Sequence, residues 1–428
     1  MADRPAEPKA TLMIPRQRLS QMTLEMAALR WNIRAPGHHR TRSNFLLRIM
    51  TTTTREYPVF DTKGMPFRRL GPSGLRVPLF SLGGWLTLGG SVTGDPVKEI
   101  IKTAFENGIN MFDTAERYTK GQGEIEMGRV IKELGYKRSD LIMITKVFWG
   151  TREGPNETGL SRKHIIEGTQ GCLERLQMDY VDVIFAHRPD RSVYNVVSES
   201  AAIISCKSPG ATAVPMEEIV RAFNFVIEKG WAFYWGTSEW PAEDVEEAHH
   251  IASKLNLIAP IAEQMEHNMF RRERPEKEYE NLYRKYNYGK MTWSPLAAGL
   301  LTGKYNNGIP PDSRFAREAY FKKFANKDEW DPKELEKIEK VKELTKIADS
   351  LGTTTTALAL AWLAKNTNTS SIILGVTSPA QLLQNLEALK VLPLITEQHL
   401  ADIEAILGNK PEAFPTYERP QLDLHGRR

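Results

Sequence analysis

From Met65 onward, eight short apolar runs alternate with amphipathic helical stretches, and no other feature of this 428-residue chain restricts its fold as much. Several runs are continuously apolar, which is typical of strands buried on both faces. Strands that alternate with helices form a parallel sheet, because each helix carries the chain back to the starting edge. The predicted strands are residues 79–82, 110–113, 141–147, 180–186, 232–237, 261–265, 291–294 and 371–375.

The stretches between the strands have the apolar spacing of helices. In residues 97–107, apolar side chains recur three or four positions apart and mark one face. Gly108, Gly230 and Gly289 stand just before predicted strands, where glycine commonly ends a helix, so we predict that they are helix C-terminal caps. The other predicted helices are residues 161–176, 216–229, 242–255, 276–286 and 355–365.

A parallel sheet of this kind is either a doubly wound open sheet or a closed barrel. A dinucleotide-binding open sheet would carry a Gly-x-Gly-x-x-Gly turn after its first strand, and the glycine pairs at 83–84 and 89–90 lack that spacing. Eight strand–helix units fill a barrel, and polar residues follow nearly every strand, where barrel enzymes keep their chemistry. The sequence therefore predicts an α/β fold of the (β/α)8 TIM-barrel type. A Pro-Ser-Gly turn within residues 67–77 predicts an N-terminal β-hairpin that plugs the barrel floor.

The predicted barrel occupies residues 64–408. Residues 1–63 are predicted to be a largely disordered or mis-assigned leader, with Met50 as a plausible start; the Arg-rich, acid-poor residues 1–49 leave a mitochondrial presequence as the alternative. Residues 409–428 are predicted to form a C-terminal tail. Residues 191–214 have no helical period, and a loop of this length is unusual inside a compact domain. They are either a functional lid or a foreign insert.

Composition excludes several classes of function. Much of the net charge of +4 comes from the arginines before Met50, so no nucleic-acid surface is predicted. No apolar run reaches the roughly 18 residues that a membrane-spanning helix needs. The two cysteines, Cys172 and Cys206, cannot build a disulfide framework, which indicates a reducing compartment and a cytoplasmic protein. No His, Cys or Asp cluster has metal-ligand spacing, so no metal is predicted.

Four polar residues on the second, third and fourth predicted strands, or just beyond them, suit one reaction. A tyrosine has a pKa of about 10, and a lysine cation within reach of its phenol favours the ionised form. An aspartate keeps the lysine charged, and a histidine can hydrogen-bond a substrate oxygen. Such a set can polarise a carbonyl group and donate a proton as hydride arrives. The candidates are Asp113, Tyr118, Lys146 and His187.

Each of these residues has an ordinary alternative role. Asp113 could cap a helix, and Tyr118 could face solvent. Lys146 could be half of a structural ion pair, and His187 could be a hydrogen-bonded packing residue. The prediction therefore depends on the combination at three successive strand ends.

The same residues lie in motifs that resemble a known family. The stretch Asp-Thr-Ala-Glu-Arg-Tyr at 113–118 resembles the Asp-Thr-Ala-x-x-Tyr signature of the aldo-keto reductase superfamily. Residues 144–146 and 185–190 are similar to the lysine and histidine strands of that family. Residues 231–238, 291–296 and 308–311 look most like the branch that contains the voltage-gated potassium channel beta subunits. The resemblance extends from about residue 67 to about residue 393. It implies that Tyr118 is the general acid.

The resemblance also implies an extended NADPH across the barrel mouth. Gly84 and Trp85 would lie beside the nicotinamide, and Ser238 and Gln264 would bind its carboxamide. The ribose and pyrophosphate would lie along Trp293, Ser294, Pro295 and Leu296. The phosphate charge would be met by Lys304 and Arg314. The adenosine end would be held by Gly375, Thr377, Gln381 and Asn385.

Two functions are therefore open. The first is NADPH-dependent reduction of aldehydes or ketones, with a small carbonyl compound as the substrate. The second is an NADPH-binding regulatory beta subunit of a voltage-gated potassium channel, with a channel alpha subunit as partner and little turnover. Channel beta subunits usually have Asn at the position of His187, which favours turnover here. Members of the branch form fourfold rings, which makes a homo-tetramer the candidate assembly.

The resemblance also bears on residues 191–214, because relatives pass from Arg-Pro-Asp to Pro-Met-Glu-Glu through only a few residues. We interpret the segment as a translated intron or a gene-model artefact, with a lid as the alternative. Peptides across residues 194–207 in a mass spectrum of the native protein would exclude the artefact.

Overall fold

A computed structural model describes residues 57–190, 214–317, 321, 325–326 and 329–414 of the chain. Most of the predicted leader, nearly all of the extra segment and most of the predicted tail lie outside the described residues. Among the described residues, no helix combines the length and the apolar character needed to cross a membrane.

Eight parallel strands form the wall of a closed barrel, and two short antiparallel pairs accompany it. The strands are β1 (Phe67–Arg69), β2 (Arg76–Pro78), β3 (Phe80–Gly83), β4 (Met111–Asp113), β5 (Ile142–Val147), β6 (Val181–Ala186), β7 (Ala232–Ser238), β8 (Ala262–Glu266), β9 (Gly289–Trp293), β10 (Ala325–Asn326), β11 (Glu329–Trp330) and β12 (Thr369–Leu374). The barrel order is β12, β3, β4, β5, β6, β7, β8, β9, and β12 also pairs with β9, so the barrel has no free edge. The predicted (β/α)8 barrel is confirmed.

Helices connect the barrel strands and cover their outer faces. They are α1 (Asp95–Glu106), α2 (Gln122–Leu134), α3 (Arg162–Leu176), α4 (Met216–Glu228), α5 (Ala242–Lys254), α6 (Glu280–Tyr286), α7 (Arg314–Arg317), α8 (Pro332–Ser350), α9 (Thr355–Lys365), α10 (Pro379–Leu386), α11 (Ala388–Val391) and α12 (Glu397–Leu407). The helix predicted at 276–286 is interrupted, because Arg274–Glu278 forms a π-helical turn before α6 begins.

Two of the three predicted glycine caps are confirmed. Gly108 and Gly230 follow α1 and α4 with φ angles of 85° and 71°, a left-handed region that favours glycine. The prediction for Gly289 is wrong, because the C-terminal cap of α6 is Asn287, with φ 49°, and Gly289 is the first residue of β9. Gly289 is required for another reason: a Cβ there would lie 2.7 Å from the backbone nitrogen of Gly71.

The predicted hairpin closes the N-terminal end of the barrel. β1 pairs with β2 in antiparallel register, with Arg68 opposite Val77. Leu70 and Val77 are fully buried and belong to the same apolar cluster as Phe185 and other side chains of the barrel interior. The turn approaches the barrel closely, since the side-chain amide of Asn287 donates to the carbonyl oxygen of Gly71 at 3.2 Å.

This close approach predicts a strong effect of Gly71→Ala. The Cβ would lie 2.1 Å from the carbonyl oxygen of Ile261, and the φ of +59° already costs a residue with a side chain about 1–2 kcal/mol. We expect a lower free energy of unfolding by more than that strain alone, measured by urea denaturation. Gly74→Ala in the same hairpin is the control, because no atom lies within 4 Å of its Cβ position. Equal unfolding midpoints for the two variants would contradict the tight plug.

Candidate active site

The candidate catalytic residues continue rows of side chains that point into the barrel. Successive side chains of a strand point to opposite faces, so residues two apart share one face. On β5, Ile142 and Ile144 belong to the apolar barrel interior, and Lys146 follows on the same face. On β6, Phe185 is an interior residue, and His187 comes two positions later. The alternation therefore directs polar side chains towards the barrel axis at its C-terminal mouth.

The ammonium group of Lys146 is fully buried and has three acceptors, one for each of its donors. Its Nζ lies 2.7 Å from Asp113 Oδ2, 2.7 Å from the carbonyl oxygen of Thr114 and 2.9 Å from the hydroxyl of Tyr118. Burial of an unpaired ammonium costs several kcal/mol, so the carboxylate of Asp113 is what keeps the charge here. Three of the four candidates thus form one connected group.

The pKa values of Lys146 and Tyr118 are both raised, for different reasons. Burial opposes the charge of Lys146, but Asp113 and Tyr118 outweigh it and raise the lysine pKa. Burial raises the pKa of Tyr118, and the opposing effect of Lys146 is smaller. Lys146 does favour the ionised form of the phenol, but burial outweighs it, so the net pKa of Tyr118 is raised. A phenol with a raised pKa stays protonated at neutral pH, as a proton donor must.

His187 lies against the tyrosine ring. The ring centroids of Tyr118 and His187 are 5.9 Å apart at an interplanar angle of 75°, an edge-on contact. Burial lowers the pKa of His187 well below its usual 6.5, and the cations of Arg188 and Lys146 lower it further. The imidazole is therefore neutral at neutral pH and can hydrogen-bond an oxygen atom without serving as the acid.

Two predicted cofactor residues contact this group or lie beside it. The side-chain amide of Gln264, on β8, donates to Asp113 Oδ1 at 2.8 Å, the carboxylate oxygen that Lys146 leaves free. The hydroxyl of Ser238, at the end of β7, donates to the carbonyl oxygen of Gln264 at 2.9 Å. Both oxygens of Asp113 are thus engaged, which fixes the carboxylate that faces the lysine.

Glu116 is a buried carboxylate that was not predicted from the sequence. Its Oε1 accepts the backbone N–H groups of Phe148 at 2.6 Å and Gly150 at 2.8 Å, and it lies 3.1 Å from His164 Nε2. The N–H of Glu116 donates to the carbonyl oxygen of Lys146 at 3.1 Å. Glu116 thus ties the loop that carries Tyr118 to the strand end that carries Lys146. Its place inside the signature is the only sequence signal, and that place does not reveal its partners.

The nicotinamide and ribose candidates lie around the same mouth. The N–H of Gly84 donates to the carbonyl oxygen of Asp113 at 2.9 Å, and Trp85 beside it is 40% exposed. Trp293 ends β9, and its indole N–H donates to Glu239 Oε1 at 3.0 Å, a contact that was also not predicted. Ser294 adopts a left-handed backbone with φ 53°, unusual for a residue with a side chain. The turn continues through Pro295 and Leu296 into a 3-10 helix, Ala297–Thr302.

The phosphate candidates form a pair of cations. Burial lowers the pKa of Lys304, and the nearby guanidinium of Arg314 lowers it further, while the carboxylate of Asp312 opposes both effects. Two neighbouring cations repel each other, so an anion placed between them is stabilised. This arrangement fits the phosphates of a dinucleotide.

The adenosine candidates follow β12. A Cβ at Gly375 would meet no atom within 4 Å, so the backbone there is open to a ligand. Thr377 donates to the side-chain oxygen of Gln381 through its N–H at 2.9 Å and its hydroxyl at 3.0 Å. Asn385 is buried one turn further along α10.

Fold and site together define a (β/α)8-barrel protein of the oxidoreductase kind, and the chain belongs to the aldo/keto reductase family, whose model matches residues 80–407. That range begins with β3 and ends with α12. Two curated relatives are similar over their whole length. A probable voltage-gated potassium channel subunit beta of Arabidopsis thaliana is 47% identical over 354 residues, 82% of this chain and 100% of the relative. A protein of the same name from Oryza sativa subsp. japonica is 45% identical over the same shares.

The contacts of Glu116 predict that Glu116→Ala destabilises the mouth. The substitution leaves two backbone N–H groups without their acceptor, which costs about 1–3 kcal/mol for each that stays unsatisfied. We expect a clear fall in the free energy of unfolding, measured by urea denaturation. Glu153→Ala is the control, because Glu153 is an exposed residue in the loop after β5. If both variants unfold at the wild-type midpoint, the contacts of Glu116 do not hold the loop.

Proposed function

We propose that this protein reduces aldehydes or ketones to alcohols with NADPH, with Tyr118 as the general acid. The observation that carries the proposal is the 2.9 Å contact between the Tyr118 hydroxyl and the buried Nζ of Lys146 at the barrel mouth. A phenol beside a buried ammonium can release its proton and be stabilised as a phenolate. A purely structural ion pair would not need the tyrosine hydroxyl.

The residues of the site divide the chemistry between them. When bound, NADPH supplies the hydride that reduces the carbonyl carbon. The carbonyl oxygen accepts hydrogen bonds from Tyr118 and neutral His187, which polarise the substrate. As negative charge develops on that oxygen, Tyr118 transfers its proton to it and the alcohol is complete. Lys146 stabilises the phenolate that remains, and Asp113 keeps the ammonium charged and oriented.

The proposed NADPH site follows the barrel mouth from β3 round to β12. The nicotinamide would lie beside Gly84 and Trp85, with its carboxamide on Ser238 and Gln264. The neighbouring cations Lys304 and Arg314 support the phosphate end of this proposal. The remaining proposed contacts are Trp293, Ser294, Pro295, Leu296, Gly375, Thr377, Gln381 and Asn385.

A second function is supported by the two relatives named probable voltage-gated potassium channel subunits beta. In that case the barrel would hold NADPH and regulate a channel alpha subunit with little turnover. Co-expression with an alpha subunit, affinity purification and an NADPH oxidation assay separate the two functions. Co-purification with tight NADPH binding and no turnover would favour the regulatory subunit. In either form the proposal includes a cytoplasmic location and a homo-tetramer. Light scattering of the purified protein would test the tetramer.

The first test of the reductase is Tyr118→Phe. Loss of the hydroxyl removes the proton donor, so we expect kcat to fall by at least about 100-fold. The assay is NADPH oxidation with 4-nitrobenzaldehyde, accompanied by NADPH binding followed by fluorescence. Tyr136→Phe is the matched control, because Tyr136 is a buried tyrosine stacked on Phe105. Retention of most turnover in Tyr118→Phe would exclude this residue as the acid.

The pKa shifts predict the pH dependence of kcat. The acid must be protonated, and the pKa of Tyr118 is raised, so it keeps its proton throughout the range below the ordinary tyrosine pKa of about 10. The pKa of His187 is lowered, so this residue does not titrate near its usual pKa of about 6.5. We expect a constant kcat across neutral pH and a fall only in strong alkali. A fall centred near neutral pH, measured at saturating NADPH, would indicate a different acid.

A further inference from the structure

We propose that Arg188 is the anchor for an anionic group on the substrate, so that this site prefers aldehydes or ketones that also carry a carboxylate. The inference rests on the proposed reductase function and names a substrate class within it. It is carried by the place of the Arg188 guanidinium at the mouth and by the lack of a carboxylate partner for it among the described residues.

Arg188 directly follows His187 past the end of β6, and its guanidinium reaches the neighbouring strand end. Its Nη1 donates to the carbonyl oxygen of His187 at 2.5 Å and lies 3.3 Å from the hydroxyl of Ser238, at the end of β7. One edge of the guanidinium is thus held across two adjacent strand ends. The side chain is therefore oriented before any ligand arrives, which reduces the entropy lost on binding.

The guanidinium lies within electrostatic reach of the reacting groups. Its charge is one of the causes that lower the pKa of His187, after burial, and it also opposes the burial that raises the pKa of Tyr118. A substrate whose carbonyl oxygen contacts these two side chains therefore lies close to a cation. An anionic group elsewhere on that substrate would be attracted to Arg188.

Nearby carboxylates are committed elsewhere. Asp190, two residues along the chain, accepts the backbone N–H of Leu160 at 2.6 Å. Asp113 is shared between Lys146 and Gln264. Among the described residues, none places a carboxylate within ion-pair distance of Arg188, so its charge is not neutralised by a neighbouring acid in this part of the chain.

The guanidinium also has donors left to offer. Only Nη1 of Arg188 bonds to the described protein, and no nitrogen of this side chain is buried without a partner. The side chain is half-buried, and its remaining N–H groups make no hydrogen bond to the described residues, so they can be offered to a ligand. A planar guanidinium binds a carboxylate through two parallel hydrogen bonds, which a neutral ester or amide cannot match in charge.

The test compares two substrates that differ in one charge. The acid is 4-carboxybenzaldehyde, and its neutral counterpart is methyl 4-formylbenzoate; both are assayed with the full chain at saturating NADPH. We expect the wild-type kcat/KM to be at least about tenfold higher for the acid, the size of effect that one charge-assisted pair supplies. We expect Arg188→Gln to remove most of that ratio. Arg188→Lys, which keeps the charge but not the paired geometry, should restore part of it.

Two further measurements separate an anchor from a structural residue. Added salt should raise the wild-type KM for the acid more than for the ester, because salt screens the attraction between charges. This readout needs no variant and therefore does not depend on how Arg188→Gln folds. Arg221→Gln, on the exposed face of α4, is the matched arginine control and should leave the acid-to-ester ratio unchanged.

The outcomes that overturn the inference are distinct from those that overturn the reductase. Wild-type turnover of the ester without preference for the acid removes the anchor and leaves the reductase. Equal losses for both substrates in Arg188→Gln assign the residue a structural role. A higher NADPH dissociation constant that accounts for the loss assigns it to the cofactor. If the wild type reduces neither aldehyde, the proposed function fails and the anchor fails with it.

Discussion

Lys146 carries a positive charge where water does not reach, and the barrel mouth is arranged around that charge. Lys290 on β9 is also fully buried, but the side-chain contact it makes is with His267, 3.1 Å away, and burial lowers its pKa to about 7. Lys146 has the carboxylate of Asp113 at 2.7 Å, and its pKa is raised instead. Because both lysines are fully buried, Asp113 together with Tyr118 accounts for the opposite direction of the Lys146 pKa.

The ion pair in turn depends on contacts from distant parts of the chain. Gln264 holds the second oxygen of Asp113, and Glu116 joins the tyrosine loop to the strand of Lys146. Each contact satisfies a polar group that would otherwise be buried without a partner. Removal of one member would therefore leave another buried polar or charged group unpaired. The mouth therefore behaves as a single network, which is the property that a positioned proton donor requires.

Much of the fold follows from local pattern. All eight barrel strands overlap the predicted runs, and several of these runs are continuously apolar because a strand covered on both faces is buried along its length. Gly289 shows where local pattern fails: it was predicted as a helix cap, but it begins β9 and is glycine because the hairpin backbone packs against it. Similarly, the raised pKa of Tyr118 could not be predicted from the nearby lysine, because burial of the phenol depends on the whole mouth.

By itself, the sequence determined the class of fold, the strand positions, and the identity of the Asp, Tyr, Lys and His candidates, since periodicity and short motifs are properties of neighbouring residues. Only the tertiary structure decided that Lys146 reaches Asp113 and Tyr118 together, that His187 is neutral, and that Glu116 and Arg188 belong to the mouth. The physical reason is closure of the barrel, which brings together strand ends more than 100 residues apart, such as those of Asp113 and Gln264. Burial and charge depend on that proximity, and the proximity of distant residues cannot be inferred from their order in the sequence.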